Sequence, residues 1–169
     1  MPGKAISAIE AKLFRPTPLH VSAIFDLTGE MDQLLWPPRM PSARQDNLWR
    51  TTCFEVFTRD VAGTGYSEFN LSPSGQWAAY TFADYREGIR PLKLAVAPEL
   101  RVEGQTKDEM IFEARITLPE PVSSAIALSA VIEECDGTRS YWALAHPADK
   151  PDFHDPACFT ATLPAPRAA

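Results

Sequence analysis

The chain has 169 residues, 45% of them hydrophobic and 22% charged, with a formal net charge of -6. That length suits one domain, residues 1–169, and can bury about 70% of the unfolded surface without disulfide or metal staples. The acidic balance disfavours nucleic acid and anionic membrane surfaces as partners, and sixteen prolines disfavour long helices.

The opening, MPGKAISAIEAKLF, has no continuous apolar stretch ahead of a cleavage site, so it does not read as a signal peptide. No run approaches the ~18 apolar residues of a membrane span. Three widely spaced cysteines, Cys53, Cys135 and Cys158, form no disulfide framework and no CxxC. They are expected to be small buried thiols in a reducing cytoplasm. HVSAIFDL alternates apolar and polar residues and reads as a strand. GEMDQLLW is the best helix candidate and is short. LLWPPRMPSARQDN, residues 34–47, is a proline-rich loop, long for a compact domain and of the kind that is often functional or mobile. Trp36, just before Pro37-Pro38, reads as a loop anchor. Trp49 follows the loop, and a core position and a ligand-facing position are equally open for it.

TTCFEVF, residues 51–57, and YSEFN with QWAAYTF, residues 66–82, read as three successive antiparallel strands. TRDVAGTG and SPSG connect them as turns. Alternation puts Phe54, Val56, Phe69, Leu71, Ala78, Tyr80 and Phe82 on a core face. The other face carries Tyr66, Glu68, Asn70 and Trp77. A symmetric register sets Glu55 against Glu68 and Cys53 against Asn70, with Trp77 beside Asn70 and Ala79 beside Glu68. Opposed carboxylates repel at a cost of roughly 0.2–1 kcal/mol. An arginine, a metal, a shared proton or a hydroxyl-rich ligand would offset it. Arg50, Arg86 and Arg90 are near in sequence. A solvated outer face can carry Glu and Asn for solubility alone. The aromatics on the same shelf favour a ligand instead, because mixed rings and hydrogen-bonding groups hold sugar-like or planar molecules.

Further along, EMIFEARITL turns Met110, Phe112, Ala114 and Ile116 to one side. IALSAVIEE does the same with Ile126, Leu128, Ala130 and Ile132. SYWALAH holds Trp142, with a core position again equally open. HPADKPDFHDP gathers His146, Asp149, Asp152, His154 and Asp155 in one loop. Its spacing matches no metal motif. His and carboxylate ligands could hold a divalent cation, but a loop braced by Asx turns and prolines fits better; a third reading puts His146 and His154 at a ligand rim as hydrogen-bonding groups. CFTATL reads as a last strand, and LPAPRAA as a frayed end. Roughly nine or ten short strands separated by turn residues make an antiparallel β-sandwich, immunoglobulin-like or jelly-roll-like.

Phosphate loops, nucleophile elbows and dinucleotide fingerprints are missing. Two carboxylates could serve glycoside hydrolysis, but a directly opposed pair on an open face leaves no room for the substrate bond between them. No enzyme is expected.

LWRTTCFEVFTR, GYSEFNLSPSGQWAAYTFADYREG and SYWALAHPADKPDFHDPACFTATL together resemble the DOMON-like domains. They are similar to the branch related to family 9 carbohydrate-binding modules, seen as small bacterial stand-alone proteins. The resemblance implies a sandwich with one concave sheet that holds a ligand, a sugar or haem in family relatives. It implies that Trp49 precedes the strand carrying an inward Glu55, and it makes Trp142 a second candidate stacking tryptophan. Met31, Met40 and Met110 have no evident histidine partner for haem, so no cofactor is expected.

The expectation is therefore a non-catalytic domain binding a small carbohydrate or other hydroxylated ligand through Trp49, Glu55, Glu68, Asn70, Trp77, Arg86, Trp142 and His146. A protein-interaction module using the same shelf or the loop 34–47 is the alternative, followed by a haem or metal protein.

Overall fold

The computed structural model describes residues 3–60, 63–121, 124–147 and 150–166. Asp149 and the last three residues of the LPAPRAA tail lie outside them. Eleven strands alternate with three short 3-10 turns among the described residues, and none of their helices is long and apolar enough to cross a membrane.

Two antiparallel sheets face each other. The first has the order β1-β2-β8-β7, built from β1 (Ile6–Thr17), β2 (His20–Gly29), β7 (Glu99–Glu103) and β8 (Glu109–Thr117). The second has the order β10-β9-β3-β4-β5-β6. Its strands are β3 (Cys53–Asp60), β4 (Tyr66–Leu71), β5 (Trp77–Phe82), β6 (Arg90–Pro91), β9 (Ser124–Glu133) and β10 (Arg139–Ala143). A short β11 (Ala161–Thr162) adds a seventh strand against β9.

Period-two alternation explains why these segments are strands and what lies between them. Val21, Ala23, Phe25 and Leu27 of β2 and Met110, Phe112, Ala114 and Ile116 of β8 turn into one core cluster. Phe54 and Val56, Phe69 and Leu71, and Ile126 to Ile132 at every second position meet them from the second sheet. Phe54 stacks on Phe112 at 4.4 Å between ring centroids and tilts against Phe25 at 4.8 Å. Burying a side chain of this size contributes roughly 1.5–3 kcal/mol.

The sequence expectation needs four corrections here. GEMDQLLW holds only a 3-10 turn at Met31–Gln33, because Leu34 goes extended to bridge Glu134 and the Leu35 amide donates to the Glu133 carbonyl. Cys135 is exposed, while Cys53 and Cys158 are buried, and all three are free thiols. The other two concern register. Between β4 and β5, Leu71 pairs with Trp77, so five residues form the turn. The Ser72 amide donates to the Gln76 carbonyl and the Gly75 amide to the Ser72 carbonyl across it. An odd loop slips the register by one, and one residue of slip reverses every side chain of the strand. Ala78, Tyr80 and Phe82 therefore share the face of Glu68, and Trp77 and Ala79 pack against the core cluster. Gly75 has φ +99°, and a Cβ there would meet the Met40 carbonyl oxygen at 3.0 Å, so the turn requires glycine where it touches the loop 34–47. Between β3 and β4 the slip is two residues, which preserves faces: Glu55 pairs with Asn70, and Phe57 with Glu68.

Candidate functional site

The outer face of the second sheet is assembled in rows. Ser129, Glu55, Asn70 and Ala78 are neighbours across four strands. The next row runs Ala127, Phe57, Glu68, Tyr80 and Pro91. Glu55 and Glu68 are thus diagonal neighbours, a relation that spans roughly 7–8 Å across an antiparallel pair, and not directly opposed.

Above these rows lies a hollow of about 600 Å³. Its floor includes Glu55, Glu68, Asn70 and Tyr80. One wall comes from the proline-rich loop, which supplies Arg44, Asp46 and Asn47, followed by Trp49. That loop is tied down. The Gln45 amide donates to the Trp77 carbonyl, the Trp77 amide to Ala43, and the Met40 amide to Ser74. The opposite wall comes from Arg86, Ile89 and the segment with Phe153 and His154. Val131 and Tyr141 close the β10 side.

The polar floor is deeply buried. Glu55 is 3% exposed, Glu68 6% and Asn70 1%. Ser129 Oγ donates to Glu55 Oε2 at 2.8 Å, and Asn70 Nδ2 donates to Glu68 Oε1 at 2.8 Å. Asn70 Oδ1 is buried with no hydrogen-bond partner. Such an atom costs on the order of 1–3 kcal/mol unless something fills the hollow and donates to it. Burial, with the nearby Glu68 charge, pushes the Glu55 carboxyl up to about 8. Burial also raises Glu68, opposed by the Asn70 hydrogen bond and Arg86.

The walls are braced by committed charges. Arg44 pairs with Asp46 at 2.8 Å, and its guanidinium lies 5.1 Å from the Tyr80 ring centre. The Tyr80 hydroxyl donates to Asp46. Arg86 pairs with Asp152 at 2.7 Å, and its backbone amide donates to the Tyr66 hydroxyl. His154 Nδ1 bonds the same hydroxyl at 2.8 Å. Its rings of contact are Phe57, Tyr66 and Phe82. Burial, with the Arg86 charge, lowers His154 to about 4, so it is neutral at pH 7.

Backbone conformation marks the same place. Asn47 (φ 63°) and Arg86 (φ 54°) are the non-glycine residues in left-handed conformation among those described, and both line the hollow. Such conformations cost of order 1–3 kcal/mol and cluster at ligand clamps.

Of the residues expected from sequence, Trp49, Glu55, Glu68, Asn70 and Arg86 come together at the hollow. Trp77 and Trp142 do not. Both pack against the core between the sheets, Trp77 through the reversed β5 and Trp142 because it pairs with Ala130, a core-facing position of β9. His146 is exposed and lies against Phe153, outside the hollow's lining. Sequence reasoning missed Tyr80, Tyr141 and Phe153 as lining residues, and raised His154 only as one reading of its loop. The alternation S-Y-W in β10 would have exchanged Tyr141 for Trp142 had the core phase of β9 been carried across. No group of three or more metal-ligating side chains occurs among the described residues.

No family model matches the chain, and no curated protein matches it in sequence. In structure it is similar to a candidate carbohydrate-binding protein from Bacteroides uniformis ATCC 8492. The TM-score is 0.56 at 10% identity, covering 89% of this chain and 83% of that one. That likeness establishes a shared sandwich fold.

Proposed function

We propose that this chain is a non-catalytic binding domain whose hollow takes a small carbohydrate or similar hydroxylated molecule. The observation that carries the reading is Asn70 Oδ1, unpartnered at 1% exposure beside two buried carboxyl groups. Hydroxyl donors on a ligand satisfy acceptors of this kind. Trp49, half-exposed on the rim, offers a face for the apolar side of a sugar ring. A structural neighbour described as a carbohydrate-binding candidate supports the same assignment, as does the resemblance to DOMON-like and family 9 binding modules. Titration calorimetry with mono- and disaccharides tests it, with intrinsic tryptophan fluorescence as the second readout. Saturable heat and a Trp49-dependent spectral change are expected; silence across a broad panel overturns it.

A protein side chain entering the same hollow is the second reading, favoured by the exposed Trp49, Tyr141 and Ile89 on its margin. Pull-down from lysate with the Trp49→Ala chain as control separates the two.

A further inference from the structure

The arginines that line the hollow are already paired with acids of its walls. Arg44 is held by Asp46, Arg86 by Asp152, and the Tyr80 hydroxyl by Asp46. Among the described residues, no lysine or arginine forms an ion pair with Glu55 or Glu68. The cationic group nearest them in the ion-pair geometry is His154, whose Nε2 lies 3.8 Å from Glu68 Oε2. Its burial keeps it neutral. The floor therefore presents Glu55, Glu68 and the unpartnered Asn70 Oδ1, three groups with acceptor oxygens and no direct ion pair to lysine or arginine, ringed by Trp49, Tyr141 and Phe153. Carboxylates this buried are ordinarily paired, because an isolated ionised carboxylate is costly to desolvate.

Resting on the binding role proposed above, we infer that the hollow selects a ligand bearing a protonated amine, an amino sugar or a comparable hydroxylated amine. An ammonium group has three N–H donors and no acceptor. Three floor acceptors match that count, and aromatic faces attract the same cation. A neutral sugar would satisfy Asn70 equally well but would bring no positive charge to the carboxyl pair. The ammonium adds a positive charge in direct contact with the floor, where Arg86 acts on Glu68 only from its pairing with Asp152. The ligand's hydroxyls are left for the rim.

The test pairs amino and neutral sugars at pH 7 and low salt: glucosamine with glucose, galactosamine with galactose, mannosamine with mannose. N-acetylglucosamine serves as the amine-blocked control. The amino member of at least one pair is expected to bind tenfold or more tighter, with N-acetylation abolishing the advantage. Glu68→Gln, checked for folding by circular dichroism, is expected to shrink the advantage to threefold or less. Neutral sugars binding as well as their amino partners would overturn the amine inference while leaving the carbohydrate-site reading intact. No binding by any member would overturn both. The wild-type comparison decides the matter even where Glu68→Gln fails to fold.

Discussion

Tyr66 and His154 join the central sheet to the C-terminal segment through a 2.8 Å hydrogen bond. The same hydroxyl accepts from the Arg86 amide at 3.1 Å. The other ring nitrogen, Nε2, lies 3.8 Å from Glu68 Oε2. Tyr66→Phe leaves the Arg86 amide and His154 Nδ1 without partners. A loss of about 1–3 kcal/mol in denaturant unfolding is expected, since unsatisfied buried groups cost that much. An unchanged midpoint would remove the hydroxyl from the wall's support.

Stability should depend on pH in two opposing directions. His154 falls to about 4 in the folded chain, from 6.5, so its contribution is present above 6.5 and is lost as pH drops through 4. Glu55 rises to about 8, from 4.5, so its contribution is present below 4.5 and is lost as pH climbs through 8. Glu68 is raised in the same sense by burial. Above pH 6.5 only the acid contribution still changes. Between pH 6.5 and 8 the chain is expected to lose about 2 kcal/mol, and Glu55→Gln to flatten that decline. Thermal unfolding followed by circular dichroism across pH 5–9 measures both. A flat wild-type profile would show that Glu55 titrates normally.

Ser129→Ala isolates one cause of the Glu55 shift. Its hydroxyl donates to Glu55 Oε2 and opposes the upward push of burial. Removing it is expected to raise the Glu55 midpoint further. Carboxyl-carbon NMR titration reads this directly, and a downward movement would contradict the geometry.

Two of the tryptophans expected at the ligand, Trp49 and Trp77, should behave differently. Trp49 is 49% exposed, so Trp49→Ala is expected to change stability by less than about 0.5 kcal/mol. Sugar affinity should drop about tenfold with it, the upper range of one aromatic contact. Trp77→Ala should cost about 3 kcal/mol, because its ring packs on the core. Affinity per folded molecule should stay the same. The reverse pattern in calorimetry and denaturant unfolding would restore the shelf as first drawn.

The sandwich was readable because β2, β8 and β9 alternate without interruption. Their core phases, Met110 to Ile116 and Ile126 to Ile132, are the ones observed. Glu55, Glu68 and Asn70 were readable as one face because the β3–β4 slip is an even number of residues. The fate of Trp77 was not. It hangs on whether the turn after Leu71 holds four residues or five, and Ser72, Ser74 and Gly75 are compatible with either until their hydrogen bonds are seen. The part of the loop 34–47 in the site was also illegible locally. Arg44 and Asp46 reach the hollow through backbone pairing with Ala43 and Gln45 to Trp77, a contact between segments some thirty residues apart.

At the far side of the second sheet the ladder stops at Arg90–Pro91. Pro91 has no amide proton, and Leu92 already gives its own to Ala79. A stray strand arriving at that border meets few free partners, an arrangement that discourages edge-to-edge fibril growth in concentrated solution. That border lies next to Tyr80 on the floor of the hollow, so the same proline that blunts the edge also lines the hollow's margin.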